Sequence, residues 1–197
     1  MKYPPKYHLD NNMNHMIEVI KTYPLATVIS VKDNQPLITH LPLIFNDEGK
    51  LIGHIDKFNP QAALLKDDND VTIVFSGPQC YISPSVYASK QLPTWNYIMV
   101  HLKATVKAIE SKEALKESLI NMTAFLEAPD HKYVLEPDNR SMKGYLDYIK
   151  MFEMTITNWE GKFKLSQDKK PRDMENARAE LIRANQESIE QFLKKVF

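Results

Sequence analysis

Glycine is scarce in this chain, with five residues in 197. A phosphate-binding loop of the Walker or dinucleotide type needs several glycines within a short span, and no such span is present. Cysteine occurs once, at Cys80, so no disulfide can form within the chain, which is typical of a reducing compartment. We therefore expect a cytoplasmic protein that folds without disulfide staples.

Long apolar runs and an excess of one charge are also missing. No run approaches the roughly 20 apolar residues that span a bilayer, and the polar start MKYPPKYHLDNN resembles neither a signal nor a transit peptide. Lysine and arginine number 25, as do aspartate and glutamate, so the formal net charge is zero. Nothing in this balance favours a membrane surface or nucleic acid, although a neutral total can hide a basic patch.

Hydrophobic periodicity predicts the secondary structure. Helical spacing indicates helices at about 13–22, 112–127 and 173–195, with Ser111 as the N-cap of the second and a short helix or turn at 142–150. Strand patterns lie at 25–31, 36–45, 50–56, 71–77, 96–110 and 150–162. Pro42 indicates an edge strand or a bulge, and the stretch 76–95, with three prolines, is predicted to be mostly loop.

The order of these elements favours a β-rich α+β fold. Hairpin-connected strands are most simply a small antiparallel barrel, and the absence of βαβα alternation argues against a doubly wound nucleotide fold. We expect a barrel domain over 1–172 and a C-terminal helix over 173–197, packed on that domain or on a dimer partner.

The segment GHIDKFNPQAALLK, residues 53–66, predicts a strand followed by a short helix. Asn59 suits the N-cap, Pro60 suits the first helical position, and the helix would continue from Gln61 to Lys66. A helix start next to Lys57 could hold a phosphate or carboxylate. From the residues alone, an ordinary capped helix with a surface lysine is the better-supported interpretation.

Three further groups of residues could carry chemistry. Thr94, Trp95, Asn96 and Tyr97 could hold an aromatic heterocycle, or Trp95 could simply fill the core. The basic stretch KFKLSQDKKPR (162–172) could contact a phosphate or a nucleic-acid backbone, or be a solvated loop. His40, His54 and His101 lack metal-ligand spacing, so they are expected to line a pocket or the core.

Six blocks of sequence, in order, resemble the PaiB family of FMN-binding split-barrel proteins, often described as negative transcriptional regulators. The blocks are YPPKY at the start, THLP (39–42), GHIDKFNPQ (53–61), GPQCYISPSVY (77–87), PTWNYIMVH (93–101) and EGKFKLSQ (160–167). The resemblance runs from the N-terminal arm to about residue 175. It implies an antiparallel split β-barrel with peripheral helices, related to pyridoxamine phosphate oxidase-like barrels, that forms a homodimer with FMN at the subunit interface.

The resemblance also implies roles for individual residues. The FMN phosphate would lie at Lys57 and Asn59, helped by Thr39 and His40, while Trp95, Asn96 and the loop from Tyr81 to Ser83 would approach the ring system. Lys164, Ser166 and Gln167 would close the site. The full set of expected cofactor-binding residues is Thr39, His40, His54, Lys57, Asn59, Gln61, Tyr81, Ser83, Trp95, Asn96, Lys164, Ser166 and Gln167.

Several functions stay open on the sequence. The leading interpretation is a flavin-dependent regulator or sensor, although no helix-turn-helix signature supports direct DNA binding. An FMN-dependent oxidoreductase acting on a small molecule with NAD(P)H is the alternative, with His101 and Tyr97 as catalytic candidates. A haem-binding split barrel, with His40, His54 or His101 as the iron ligand, and a structural module with a degenerate pocket are lesser alternatives. No G-x-S-x-G elbow is present for a serine hydrolase.

Overall fold

The computed structural model describes residues 4–186, and strands dominate this range. Three 3-10 turns also occur there, at Lys6–His8, Pro60–Ala63 and Pro84–Val86. The strands and α-helices of these residues, in chain order, are β1 (Leu9–Asp10), α1 (Met13–Thr22), β2 (Leu25–Lys32), β3 (Gln35–Pro42), β4 (Ile44–Phe45), β5 (Leu51–Asp56), β6 (Asp70–Ile82), β7 (Thr94–Ile109), α2 (Lys112–Glu127), α3 (Arg140–Tyr145), β8 (Ile149–Lys164) and α4 (Pro171–Gln186).

The strands form one antiparallel sheet in the order β3-β2-β6-β7-β8-β5-β4, with β1 pairing to β8. Some neighbouring strands are joined by hairpins, and the others are connected by longer segments. The fold class is the predicted β-rich α+β split barrel with peripheral helices. β3 is an edge strand, as Pro42 indicated, because a proline cannot donate to a neighbouring ladder.

Two compact units make up the chain. The larger unit contains Glu18–Phe75 and His101–Trp159, and the smaller unit contains the described parts of 1–17, 76–100 and 160–197.

In the larger unit the sheet curls, because β3 also packs against β5, its distant neighbour in the strand order. Alternate side chains of β2 are buried, with Ala26 and Val28 fully enclosed, and β5 buries Leu51 and Ile55 in the same way. This alternation is the period-2 pattern of strands with one face on a core. The β2–β3 hairpin turns at two residues with positive φ, Asp33 and Asn34, a backbone that aspartate and asparagine tolerate well.

In the smaller unit the N-terminal arm is tied to the last strand. Leu9 and Asp10 of β1 pair with Lys162 and Gly161 of β8. A Cβ on Gly161 would lie 2.6 Å from the carbonyl oxygen of Asp10, so only glycine permits this close approach.

Helix α4 packs on the end of β6 in the same unit. Its buried Ala177 and Leu181 join a cluster with Cys80, Ile82 and Tyr87. Asp173, in the first turn of α4, accepts hydrogen bonds from the backbone N–H groups of Ala88 (2.6 Å) and Ser89, and from the Ser89 hydroxyl. This carboxylate therefore fixes the loop that follows β6.

The helices α1 and α2 have the predicted bounds. The Oγ atom of Ser111 accepts a hydrogen bond from the Ala114 N–H at 3.2 Å, which confirms it as the N-cap of α2. The predicted end of α4 at residue 195 lies outside the described residues.

Three predictions of local structure are wrong. Strand β6 continues to Ile82, where a loop was expected from residue 76, because Cys80 and Ile82 bury against α4. The expected strand 36–45 is divided at Leu43, whose N–H donates to the Pro24 carbonyl rather than to a ladder partner. The expected helix 61–66 is only the 3-10 turn Pro60–Ala63.

Candidate functional site

The corner after β5 belongs to the larger unit and is built around Asn59. Its Oδ1 accepts from the Gln61 N–H at 2.9 Å, so Asn59 caps the 3-10 turn as predicted. Its Nδ2 donates to Thr39 Oγ1 on β3 at 3.1 Å. One side chain thus joins two of the expected site residues, Thr39 and Gln61.

Gln61 is almost fully buried, with 1% of its surface exposed. Its Nε2 donates to the Val28 carbonyl at 3.1 Å and to Ser30 Oγ at 3.0 Å, while its Oε1 has no hydrogen-bond partner within the described structure. If Oε1 and Nε2 of Gln61 were exchanged, Oε1 would face the Val28 carbonyl oxygen, and two acceptors cannot form a hydrogen bond. The orientation of the Gln61 amide is therefore fixed. Gln61 therefore anchors the turn inside the barrel.

The Lys57 side chain contacts Asp147, Tyr148 and Phe58. Its Nζ donates to the Asp147 carbonyl at 2.5 Å and lies 4.4 Å from the ring centroid of Tyr148 and 5.2 Å from that of Phe58. Among the described residues, the ammonium donates to this one carbonyl, which leaves two N–H groups that a ligand could accept. The cation–π contacts hold the side chain at this corner.

His40 and His54, two expected cofactor-binding residues of the larger unit, each contact another side chain of that unit. His40 follows Thr39 on β3 and so points to the opposite face of the sheet, where its Nδ1 lies 3.0 Å from Thr27 Oγ1. His54 is directed to α2, where its Nε2 lies 2.9 Å from the buried Ser118 Oγ. Burial lowers the pKa of His54 to about 4, so this imidazole is neutral at pH 7.

An aromatic shelf in the smaller unit is formed by Trp95 on β7 and Tyr81 on β6. Their ring centroids are 6.3 Å apart with a 55° tilt, and each residue is 50% exposed. The indole N–H of Trp95 donates to Gln79 Oε1 at 3.1 Å. This hydrogen bond orients the indole, and half of the side chain remains exposed to solvent. Trp95 therefore does not fill the core, which was the alternative interpretation.

Next to Trp95 in sequence, Asn96 is buried in a side-chain network. Its Nδ2 donates to Ser166 Oγ at 3.1 Å, and the Tyr87 hydroxyl lies 3.0 Å from the same oxygen. Ser166 is itself buried and has a positive φ of 64°. This unusual backbone turns the Ser166 hydroxyl into the network.

Three other expected residues of the smaller unit form hydrogen bonds with neighbouring backbone or side-chain groups. Lys164 Nζ donates to Thr94 Oγ1 at 2.6 Å. Gln167 donates to the Phe163 carbonyl and accepts from the Leu165 N–H, so its amide shapes its own loop. Ser83 caps the turn Pro84–Val86 by accepting from the Ser85 N–H at 3.3 Å.

The catalytic candidates are both on β7 and only partly buried, Tyr97 in the smaller unit and His101 in the larger. Sequence reasoning missed the contributions of Tyr87 and His8. Tyr87 lies within the block GPQCYISPSVY. Its place in a block that resembles the family could have marked it as a candidate site residue. His8 directly follows the opening block YPPKY.

A small pocket lies in the smaller unit, lined mostly by residues with polar side chains, and we call it the His8 pocket. Its volume is about 290 Å³. Its lining residues are His8, Gln91, Leu92, Pro93, Thr94, Lys164, Ser166, Asp168 and Lys169. Burial lowers the pKa of His8, Lys164 and Lys169 lower it further, and Asp168 opposes them.

The fold and these residues define a flavin-binding split barrel, and comparison with known proteins agrees. The model of a family described as "Putative FMN-binding domain" matches residues 2–158. The chain belongs to this family of FMN-binding proteins, which includes PaiB, and its cofactor is FMN.

Among curated proteins, the chain is similar to "Protease synthase and sporulation protein PAI 2" of Bacillus subtilis. The two are 29% identical over 178 residues, covering 88% of this chain and 86% of the relative.

Solved structures show the same fold at low identity. The FAD and heme binding protein of Mycobacterium smegmatis has a TM-score of 0.66 at 19% identity, covering 85% of this chain and 79% of that one. The flavocytochrome Anf3 of Azotobacter vinelandii has a TM-score of 0.65 at 15% identity, covering 83% and 72%.

The donor set fits the chemistry of FMN. An oriented, half-open indole suits a flat ring system, and an ammonium such as that of Lys164 suits the electron-rich edge of a flavin. The two remaining N–H groups of Lys57 suit a phosphate. FMN, when bound, would supply the redox chemistry, and each of these groups is suited to bind or orient the part of the cofactor named for it.

Two further findings concern residues 4–186. No helix in this range is long and apolar enough to cross a membrane. No group of three or more His, Cys, Asp or Glu side chains is arranged there to hold a metal ion.

Proposed function

We propose that this protein is a flavin-dependent sensor that acts as a negative regulator of gene expression in the cytoplasm. The relative in Bacillus subtilis, named for protease synthesis and sporulation, supports a regulatory role. The observation that carries the flavin part is the shelf of Trp95 and Tyr81, since a half-exposed indole held by Gln79 is a ready surface for a flat ring.

We further propose that Asn96 and Lys164 support the shelf from behind, because Asn96 follows Trp95 in β7 and so lies on the opposite face of the strand. Asn96 is held by Ser166, which also contacts Tyr87, and Lys164 is held by Thr94. A group that is already oriented loses little freedom on binding, and so recognition is stronger. Ser166 and Gln167 then act by shaping the loop that carries these donors.

The phosphate would bind to Lys57 at the corner capped by Asn59. Charge-assisted hydrogen bonds from an ammonium to phosphate oxygens are among the stronger polar contacts. The 3-10 turn after Asn59 is too short for a helix dipole to matter, and its Gln61 N–H is already used by the cap. The lysine therefore supplies the charge.

A homodimer is part of the proposal and is supported by an apolar sheet face in the larger unit. Leu25, Val31 and Ile38 are 61%, 65% and 56% exposed, and the pairing of β2 with β3 sets all three on one face. Ile29, paired with Ile38, extends this face. Thr27 and His40 lie on this face between Leu25 and Ile29, so the contiguous apolar part is Ile29, Val31 and Ile38. A second copy of the chain would cover that part, since contiguous exposed apolar surface is unusual on a monomer.

An FMN-dependent oxidoreductase using NAD(P)H is the second candidate. The His8 pocket favours it, because a small pocket bounded by the Thr94–Lys164 pair could admit a reactant.

Haem binding is a lesser candidate. A structural neighbour carries haem in its name, and the neutral His54 is a suitable ligand type, although its Nε2 is engaged with Ser118.

The test of the proposal is a titration of the flavin-free protein with FMN, riboflavin and FAD, followed by flavin fluorescence. FMN should bind more tightly than riboflavin, and Trp95→Leu should weaken both by about tenfold because it removes the stacking surface. Tyr145→Leu, which removes an exposed ring of α3, is the matched control and should change neither.

The regulatory part needs a separate readout. Transcripts would be compared in cells carrying the wild-type protein, Trp95→Leu, or neither. Equal transcript levels in all three would reject the regulator. Flavin-dependent oxidation of NAD(P)H at a steady rate would instead favour the oxidoreductase.

A further inference from the structure

The His8 pocket gathers residues that are far apart in the chain. His8 follows the N-terminal arm, Thr94 starts β7, and Lys164 ends β8. Each lies in or directly beside a block that carries the family resemblance.

Its polar groups are held in place. Lys164 Nζ donates to Thr94 Oγ1 and keeps two N–H groups for another partner. Lys169 Nζ lies 2.8 Å from Asp168 Oδ2, and the buried Ser166 fixes the inner wall. The donors are thus fixed before any ligand arrives, which lowers the entropic cost of binding.

The charges in the pocket do not balance. Lys164 and Lys169 carry two positive charges against the single negative charge of Asp168. Burial and the two lysines lower the pKa of His8 against the opposing effect of Asp168, which favours the neutral imidazole. One bound negative charge would neutralise the pocket and would also favour protonation of His8.

We propose that the His8 pocket binds a small oxyanion, the carboxylate or phosphate group of the molecule to which the flavin responds. Lys164 and Lys169 supply the charge, and His8 donates a hydrogen bond when the anion is present. The volume of about 290 Å³ is at the lower end for ligand pockets, which matches a small molecule. The link to the flavin rests on the proposed function, whereas anion binding itself does not.

The test is an NMR titration of the His8 Cε1 proton in the full-length, flavin-free protein, with inorganic phosphate and acetate as probes. Both probes should shift the resonance and raise the pKa of His8, because the bound negative charge favours the imidazolium. Lys169→Met should weaken binding of either probe by about tenfold or more. Lys170→Met, which removes the neighbouring lysine outside the pocket, is the control and should leave it unchanged.

Two further results separate the possible failures. If Trp95→Leu loses flavin but keeps the phosphate response, the pocket stands without the proposed flavin site. No response of His8 to either probe would overturn the inference. Displacement of phosphate by FMN but not by riboflavin would also overturn it, because the pocket would then be the seat of the cofactor's own phosphate.

Discussion

His54 and Ser118 join β5 to α2 through a 2.9 Å contact between the imidazole Nε2 and the serine hydroxyl. Ser118 is buried, and its hydroxyl can donate to a neutral imidazole but not to a protonated one. Burial lowers the pKa of His54 to about 4. A protonated Nε2–H could still donate to the Ser118 hydroxyl, so the dependence on pH comes from the burial of His54 and not from this contact.

We predict that this histidine makes the fold sensitive to mild acid. Above about pH 6.5, His54 is neutral in both folded and unfolded chains. Between pH 6.5 and about 4 the unfolded chain binds the proton and the folded chain does not, so stability is lost as the pH falls through this window. The loss should reach at most about 3 kcal/mol in urea unfolding measured at successive pH values.

Two histidine variants would show whether His54 causes this dependence of stability on pH. His54→Gln should flatten the stability curve between pH 4 and 6.5, whereas His131→Gln, at an exposed position, should leave it as in the wild type. An unchanged slope in His54→Gln would show that another group carries the acid sensitivity.

A second prediction concerns the tight packing of β5. A Cβ on Gly53 would lie 2.4 Å from Leu43 Cδ2 and 2.8 Å from the Phe152 ring, so Gly53→Ala overfills the core. We expect a loss of about 1–3 kcal/mol in the free energy of unfolding. Gly144→Ala in α3 meets no atom within 4 Å and should instead be neutral or stabilise by up to about 1 kcal/mol. Equal effects of the two variants would contradict the packing at Gly53.

The sequence predicted elements whose signals are local. The bounds of α2 follow from its apolar stripe and from the Ser111 cap, which lie within the segment itself. Strand β6 was predicted too short because Gly77 and Pro78 resemble a loop, whereas the burial of Cys80 and Ile82 depends on α4, far along the chain. Tertiary packing overrode the local preference there.

The same division holds for the candidate site. The Asn59 cap was predictable from Asn-Pro, but the direction of Lys57 was not, since its carbonyl partner on Asp147 is 90 residues away. The opposite orientation of Thr39 and His40 follows from strand alternation and could have been deduced from the predicted strand. The His8 pocket required three distant segments to be brought together, which no periodicity reveals.

A third prediction tests the apolar face proposed to bind a second copy. Ile38→Lys should convert the dimer to a monomer in light scattering, because burying an unpaired ammonium in an apolar contact is costly. Asn121→Lys, at an exposed position of α2, should leave the mass unchanged. A wild-type protein that is already monomeric at micromolar concentration would count against this interface.

The last prediction separates the two ends of the flavin. Lys57→Met removes the ammonium proposed to hold the phosphate while keeping much of the side-chain volume. FMN binding should weaken by about 10- to 100-fold, the worth of a charge-assisted hydrogen bond, and riboflavin binding should stay the same because riboflavin has no phosphate. Lys103→Met, on an exposed position of β7, should change neither affinity. If Lys57→Met weakens both flavins equally, the lysine acts through the structure of the corner, where it ties β5 to Asp147 and stacks on Tyr148, and the phosphate must bind elsewhere.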